Sequence, residues 1–420
     1  MDNNFNKSKS QKKIVVAMDS FKGSLTSLEA GNAVRDGILE KYPDFDVQIF
    51  PVADGGEGTV EALTFGKEHV QTRTIPVTGP VGTKVSAEYT IYEQAGGNTA
   101  VLEMAQAAGL PLVPEERRNP MHTTTYGVGE MIRDAITCGC RKFILGIGGS
   151  ATNDAGIGML QALGFHFLDA IGREVGYGAE GLAQVRTITT EDVLPELASC
   201  TFQIACDVTN QLVGAQGCST IFAPQKGADA KMVQAMDAAM NRYADIVEDM
   251  YRKDPVLMEN QLIGYDEAGK NVEKTNRQSY DKNRMTPGAG AAGGLGYACL
   301  MFLHAALKPG IDIVLEEIQI AQAIKNADAV ITGEGRFDAQ TLMGKTPIGV
   351  ARIAKAYEVP VYAFAGCFGA DVQVCIDSGV FAGCYAASTA STEEAKRIAM
   401  EKTQAYANLR NCVRNNLTGL

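Results

Sequence analysis

The sequence predicts an α/β protein of two domains: a doubly wound parallel-sheet domain built from both chain ends, interrupted by a second, mixed-sheet α/β domain. Three observations predict it. Strand-like apolar runs alternate with helical patterns over the first seventy residues and again after about residue 286. Between them lies a stretch of alternating apolar and polar residues typical of hairpins. Gly-rich or acidic turns follow several of the apolar runs, as they do at the ligand-binding ends of open α/β sheets.

Lys13–Met18 (KIVVAM) reads as a buried strand. Thr26 and Glu29 form a capping-box pattern, and Leu28, Val34, Ile38 and Leu39 supply the apolar side of a helix ending near Tyr42–Pro43. Val47–Val52 is the next strand, which makes a βαβ unit and hence a parallel sheet. From Pro76 the pattern changes: Val85, Ala87, Tyr89 and Ile91 alternate, Gly96–Gly97 turns the chain, and Asn98–Met104 runs back. Thr123–Cys138 is helical. Phe143–Ile147 runs as a strand into Gly148–Gly149, three small polar residues and Asp154. Such a junction brings backbone N–H groups close to an anion, although it also serves as a plain turn. Phe202–Cys206 is a strand, and a long helix covers about Ala228–Tyr251. The polar stretch 254–285 has no steady periodicity and reads as a loop. Strands return at Ala329–Thr332, Pro360–Ala365 and Phe381–Ala386. The expected division is a tail at 1–12, a discontinuous domain at 13–76 and 286–420, and an inserted domain at 77–285.

Composition bounds the function. The chain has 420 residues, 45% hydrophobic and 21% charged, enough for a sizeable core and too little charge for extended disorder. A net charge of −11 argues against nucleic acid or an anionic membrane as partner. No apolar run approaches the ~18 residues of a membrane span, and the lysine-containing N-terminus lacks the apolar core of a signal peptide. The ten cysteines and four histidines are scattered without zinc-ligand spacing, so a cytoplasmic protein with reduced cysteines is expected.

Four turns carry groups suited to phosphate and a divalent cation: Asp19–Ser24, Asp54–Thr59, Gly148–Asp154 and Gly333–Lys345. Phosphoryl transfer needs an aligned hydroxyl, cations against developing charge and often a carboxylate near the attacking oxygen. Asp19, Asp54, Glu57, Asp154, Asp207, Glu334 and Asp338 are the candidate carboxylates; Lys22, Arg336 and Lys345 are the candidate cations. A helix cap or surface ion pair is the competing reading for each, and Asp19 and Asp338 could both be caps. Known signatures fail. Gly344-Lys345-Thr346 has Ala339 where a P-loop needs glycine, and Gly288-x-Gly290-x-x-Gly293 follows a polar stretch and Pro287 instead of a strand. The latter is more simply a close helix contact than a dinucleotide site.

Taken together, VAMDSFKGSLTSLEA, PVADGGEGTVEAL, VTGPVG, RNPMHTTTYGVGE, GIGGSATNDAGIGMLQALG, CDVTNQLVGAQG, APQKGAD, GAGAAGGLG and TGEGRFDAQTLMGKTPIGVA resemble the bacterial type 1 glycerate kinase family, in order and over nearly the whole chain. The resemblance implies a flavodoxin-like domain interrupted by a second α/β domain. It implies phosphorylation of D-glycerate by ATP and Mg²⁺, most often at the 2-hydroxyl. A 3-phosphate product and a non-catalytic anion sensor are the alternatives, and an NAD-dependent oxidoreductase is a weaker one. By position, Asp19, Lys22 and Asp338 are the expected catalytic residues. Ser20, Ser24, Gly148, Gly149, Ser150, Thr152, Asn153, Gly333, Glu334, Gly335, Thr341 and Lys345 are expected to bind substrate or phosphate. Asp54, Glu57 and Asp207 are expected around the metal. Three turn residues depart from the family pattern: Ala155 and Ala223 replace glycine, and Gln211 replaces proline.

Overall fold

The computed structural model describes residues 11–56, 58–94, 96–253, 263–265, 271–273, 284–390 and 392–418. The expected tail at 1–12 therefore lies almost wholly outside the described residues. The chain divides into two compact units, Met1–Gly66 with Pro309–Leu420, and Lys67–Lys308.

The first unit is built on five parallel strands in the order Gly383–Ala386, Val361–Ala365, Ala329–Gly333, Lys13–Met18, Asp46–Ile49. Numbered along this unit, the order is 5-4-3-1-2, the flavodoxin-like arrangement, whose direction reverses between the first and third strands. These two strands pair from Ile14↔Ala329 to Met18↔Gly333. Ala329–Gly333 is buried at every position, as a central strand covered on both faces must be. The helix Ser27–Leu39 starts where the sequence indicates: Thr26 Oγ1 accepts from the Glu29 N–H at 3.3 Å, and Glu29 Oε2 accepts from the Thr26 N–H at 3.1 Å. Its Ala30, Ala33, Val34 and Ile38 join Ile14, Val16 and Met18 in one core with Leu409 and Val413 of the helix Lys402–Asn416. The two helices meet closely at Gly37, where an added Cβ would lie 2.4 Å from the Arg410 carbonyl oxygen.

The second unit contains a six-stranded mixed sheet in the order Ala306–Lys308, Thr201–Ala205, Cys140–Gly146, Gly97–Glu103, Lys84–Gln94, Gln71–Thr78. The first three are parallel to one another and to Gly97–Glu103; the last two complete an antiparallel meander. Phe143 stacks on Phe202 at 4.7 Å across adjacent strands. The helix Ala230–Lys253 adds Met240, Tyr243 and Val247 to this core.

Two expected boundaries move. Gln71–Thr78 pairs along its whole length with Lys84–Gln94, so the crossing into the second unit comes near residue 67, before Pro76. At the other end, Ala306–Lys308 pairs with Thr201–Ala205, and the helix Ala291–Phe302 packs in the second core, so residues 286–308 belong to the second unit. Partner choice is a tertiary property that strand propensity does not carry. Within the stretch read as a loop at 254–285, Ile263–Tyr265 and Asn271–Glu273 pair as an antiparallel ribbon.

Candidate active site

In the first unit a crevice of about 620 Å³ runs along the carboxyl ends of the five strands. Asp19, Ser20, Lys22 and Ser24 follow the first strand, Asp54 follows the second, and Glu334, Gly335, Arg336 and Lys345 follow the third. Asp19 and Glu334 thus flank the point where the strand order reverses, the usual ligand position in open α/β sheets.

Asp19 is 5% exposed. Its N–H donates to the Gly333 carbonyl at 2.9 Å, which ties the two strand ends together. Its Oδ1 accepts from the Ser20 N–H at 2.6 Å and its Oδ2 from Thr346 Oγ1 at 2.7 Å. Burial pushes its carboxyl up to about 6, with the Asp54 charge adding to the rise and the Thr346 and Ser20 hydrogen bonds opposing it. Glu334 accepts from Thr341 Oγ1 at 2.7 Å and faces Lys345 Nζ at 3.7 Å. Burial pushes Glu334 up to about 7; Thr341 and Lys345 counter that, while Asp19 and Asp54 reinforce it. Three carboxylates therefore repel one another in a partly dry crevice, with Lys22 and Lys345 on the same lining. Ser20 Oγ is buried and finds no hydrogen-bond partner among the described residues.

This donor set fits a magnesium ion. Mg²⁺ is bound through one or two carboxylates plus phosphate oxygens and retained water. Asp54 is positioned to contribute, and a cation there would relieve its repulsion with Asp19. Among the described residues no group of three or more His, Cys, Asp or Glu side chains forms a self-sufficient metal cage. Glu57 lies outside the described residues. Asp207 is exposed in the second unit, just after Thr201–Ala205.

The other sequence-selected residues of the first unit have supporting positions. Asp338 caps the short helical turn Ala339–Leu342, its Oδ1 accepting from the Gln340 N–H at 3.0 Å, and pairs with Arg336 at 3.4 Å. It is not on the crevice lining. The cap reading, open for this residue in the sequence, describes its geometry. Thr341 is buried and its hydroxyl bonds Glu334. Gly333 is required by packing, since a Cβ there would fall 1.8 Å from the Phe364 carbonyl oxygen. Ser24 closes its own turn by donating to the Phe21 carbonyl at 2.9 Å.

The Gly148–Asp154 turn belongs to the second unit. Gly148 and Gly149 are exposed, while Thr152, Asn153 and Asp154 are fully buried. Asn153 Nδ2 donates to Ser219 Oγ at 2.9 Å. Asp154 accepts from the N–H and hydroxyl of Thr125, both at 2.9 Å, and from the Gly156 N–H at 3.1 Å. Thr152 and Asn153 thus shape the turn from beneath; the exposed backbone at Gly148–Gly149 is the part available to a ligand. Lys226, unassigned from the sequence, is 2% exposed beneath the turn. Its ammonium donates to Ser150 Oγ at 2.7 Å and to the Thr152 carbonyl at 2.6 Å. Burial lowers its pKa to about 8, with Cys218 and Asp154 opposing the fall. Thr346 was missed likewise, although it follows Lys345 directly; Lys226 sits in the APQKGAD stretch, where a lysine just before a glycine was its only mark.

Gly288, Gly290 and Gly293 do not form a dinucleotide turn. A Cβ on Gly290 would meet the Gln211 carbonyl oxygen at 2.1 Å, and one on Gly293 the Thr152 carbonyl oxygen at 2.1 Å, so these glycines allow close backbone packing.

Comparison with known proteins agrees with this architecture. The sequence profile of the glycerate kinase family matches residues 14–417. The chain is 45% identical over 370 residues to a glycerate kinase of Haemophilus influenzae, covering 88% of this chain and 89% of the relative. It is 43% identical over 368 residues to the glycerate 2-kinase of Escherichia coli K12, covering 88% of each. A crystal structure of a Salmonella typhimurium LT2 protein assigned as glycerate kinase 2 superposes with a TM-score of 0.78 at 39% identity, covering 97% of both chains. With its profile matched almost end to end and its fold shared with such a relative, this chain belongs to the glycerate kinase family.

Proposed function

We propose that this enzyme transfers the terminal phosphoryl group of ATP to the 2-hydroxyl of D-glycerate, giving 2-phospho-D-glycerate and ADP. Membership of a kinase family that acts on an alcohol supports the reaction class. The observation that carries the residue assignment is the crevice at the strand-order reversal, where Asp19, Asp54 and Glu334 share a lining with Lys22 and Lys345.

Each group has work to do in that reaction. Lys22 and Lys345 offset the charge of phosphate oxygens in a chain whose net charge of −11 otherwise repels them. Asp19, with a carboxyl held near 6, is ionised at neutral pH and basic enough to take the proton of the attacking hydroxyl. In the balanced step the glycerate oxygen bonds to the γ-phosphorus, the bond to the β-bridging oxygen breaks, ADP leaves and the hydroxyl proton passes to Asp19. Magnesium, held by Asp54, would neutralise charge on the phosphates. Thr346 fixes the Asp19 carboxylate in place through its 2.7 Å hydrogen bond.

The test is purified protein with ATP, Mg²⁺ and D-glycerate. ADP release should depend on glycerate, and the product should feed an enolase-coupled assay without a phosphoglycerate mutase. A product that needs the mutase would establish 3-phosphorylation, and absence of glycerate-dependent ADP would overturn the reading.

A further inference from the structure

The crevice is much larger than a three-carbon acid needs. Its volume of about 620 Å³ lies in the range of sites that enclose a drug-sized or nucleotide-sized molecule. Its chemistry is also sorted along the sheet. The carboxylates, Lys22 and Lys345 come from the ends of the strands Asp46–Ile49, Lys13–Met18 and Ala329–Gly333. Beyond them, the ends of Val361–Ala365 and Gly383–Ala386 contribute mainly uncharged groups, joined by residues from the two C-terminal helices. The first strand and Gly383–Ala386 are three strand spacings apart, roughly 14 Å.

We propose that the crevice takes its nucleotide lengthwise, phosphates at the Asp19–Lys345 end and the base at the Ala387–Met400 end. The proposal rests on the kinase reading above and adds where the base sits. Ala387, Ala405 and Met400 are apolar surfaces of that end, and Ser388 and Asn408 are polar groups within it. A few polar groups on an apolar wall are what a flat heteroaromatic base requires. Met400 is 51% exposed, a large apolar side chain left against a crevice. It also reaches back toward the phosphate end, since a Cβ on Gly23 would lie 3.4 Å from Met400 Cε. The one cation lining this end, Lys396, is paired with Glu393 at 2.6 Å.

The experiment uses the full chain and three variants, Met400→Ala, Ala387→Leu and Lys22→Ala. ATP and glycerate KM values are measured, and adenosine and ADP binding are followed by calorimetry. Met400→Ala should raise the ATP KM and weaken adenosine about tenfold, with the glycerate KM unchanged as evidence of an intact fold. Ala387→Leu should do the same by filling the slot. Lys22→Ala should weaken ADP strongly and leave adenosine binding intact. Unchanged adenosine affinity and ATP KM in both apolar-end variants would overturn the proposal while leaving the kinase reading standing. Loss of glycerate-dependent ADP release in the wild type is the separate outcome that removes that reading and this proposal with it.

Discussion

Thr346 Oγ1 donates a 2.7 Å hydrogen bond to Asp19 Oδ2 across 327 residues of sequence. It joins the turn after the first strand to the start of the helix Thr346–Ala356. A hydrogen bond to a buried carboxylate stabilises the charged form by about 1.5–3 kcal/mol. Thr346→Val keeps the shape and removes the donor, so Asp19 should titrate above its present value of about 6. The acid limb of kcat/KM should move to higher pH and kcat at pH 7 should fall roughly tenfold. Thr346→Ser should restore both. An unmoved acid limb in the valine variant would remove Asp19 from the proton-transfer step.

Lys22 and Asp338 began as equal candidates and now part company. Lys22 lines the crevice; Asp338 caps Ala339–Leu342. Lys22→Ala should lower kcat by two or more orders of magnitude with little change in melting temperature. Asn is as good a cap as Asp, so Asp338→Asn should retain activity within a few-fold. Asp338→Ala should cost about 1 kcal/mol of stability. Steady-state kinetics beside thermal melts separates the two. A collapse of kcat in Asp338→Asn would return that carboxylate to the chemistry.

Much of this was legible in the sequence, for identifiable reasons. The strand Lys13–Met18 and the helix after it carry their own start signals, and the capping box of Thr26 and Glu29 forms as written. Turns after apolar runs pointed to the crevice, because open sheets place ligands at strand ends. Strand partnership was not legible: Gln71–Thr78 and Ala306–Lys308 join the second sheet through hydrogen bonds with distant strands. Nor could spacing tell a crevice carboxylate from a cap, which is the difference between Asp19 and Asp338. The departures from family glycine also differ once φ is known. Ala155 is held at φ 51°, the left-handed region that glycine favours, whereas Ala223 sits at φ −70°, where alanine fits without strain.

Asp19 and Glu334 together predict a pH dependence of stability. Their folded values, about 6 and about 7, exceed the ordinary values of 3.8 and 4.5. Between roughly pH 4 and 7 the folded state holds protons that the unfolded chain has released. Their contribution is therefore fully present below the unfolded values and is lost as pH rises through 6 and 7. The wild type should be less stable at pH 8 than at pH 5, by about 1.4 kcal/mol from Asp19 and about 2.5 kcal/mol from Glu334 at most. Asp19→Asn should flatten that slope, since it removes one buried charge and one repulsion on Glu334. Mg²⁺ should raise the melting temperature at pH 8 more than at pH 5. Denaturant melts of both proteins at the two pH values check this, and parallel slopes would contradict it.

Lys226 gives the sharpest test of how the second unit holds its glycine turn. Its ammonium bonds Ser150 Oγ and the Thr152 carbonyl from a fully desolvated position. Replacing it with methionine fills most of the volume and ends the burial cost of the charge, but it strands both acceptors. The two effects oppose each other, so the net stability change should stay within about 2 kcal/mol. In the turn those two bonds hold Ser150 and Thr152, beside the bonds from the Leu110 N–H to the Gly149 carbonyl and from the Ala151 N–H to the Ala108 carbonyl. Lys226→Met should therefore fold and show faster amide hydrogen exchange at Ser150–Thr152 than the wild type. The folded pKa of about 8 lies below the ordinary 10.5, so the charged form is the costly one and wild-type stability from this group rises as pH passes 8. That rise should be absent in Lys226→Met, a signature that a loss of packing alone would not produce. A methionine variant with wild-type exchange rates at the turn and an unchanged alkaline stability profile would reduce Lys226 to filler.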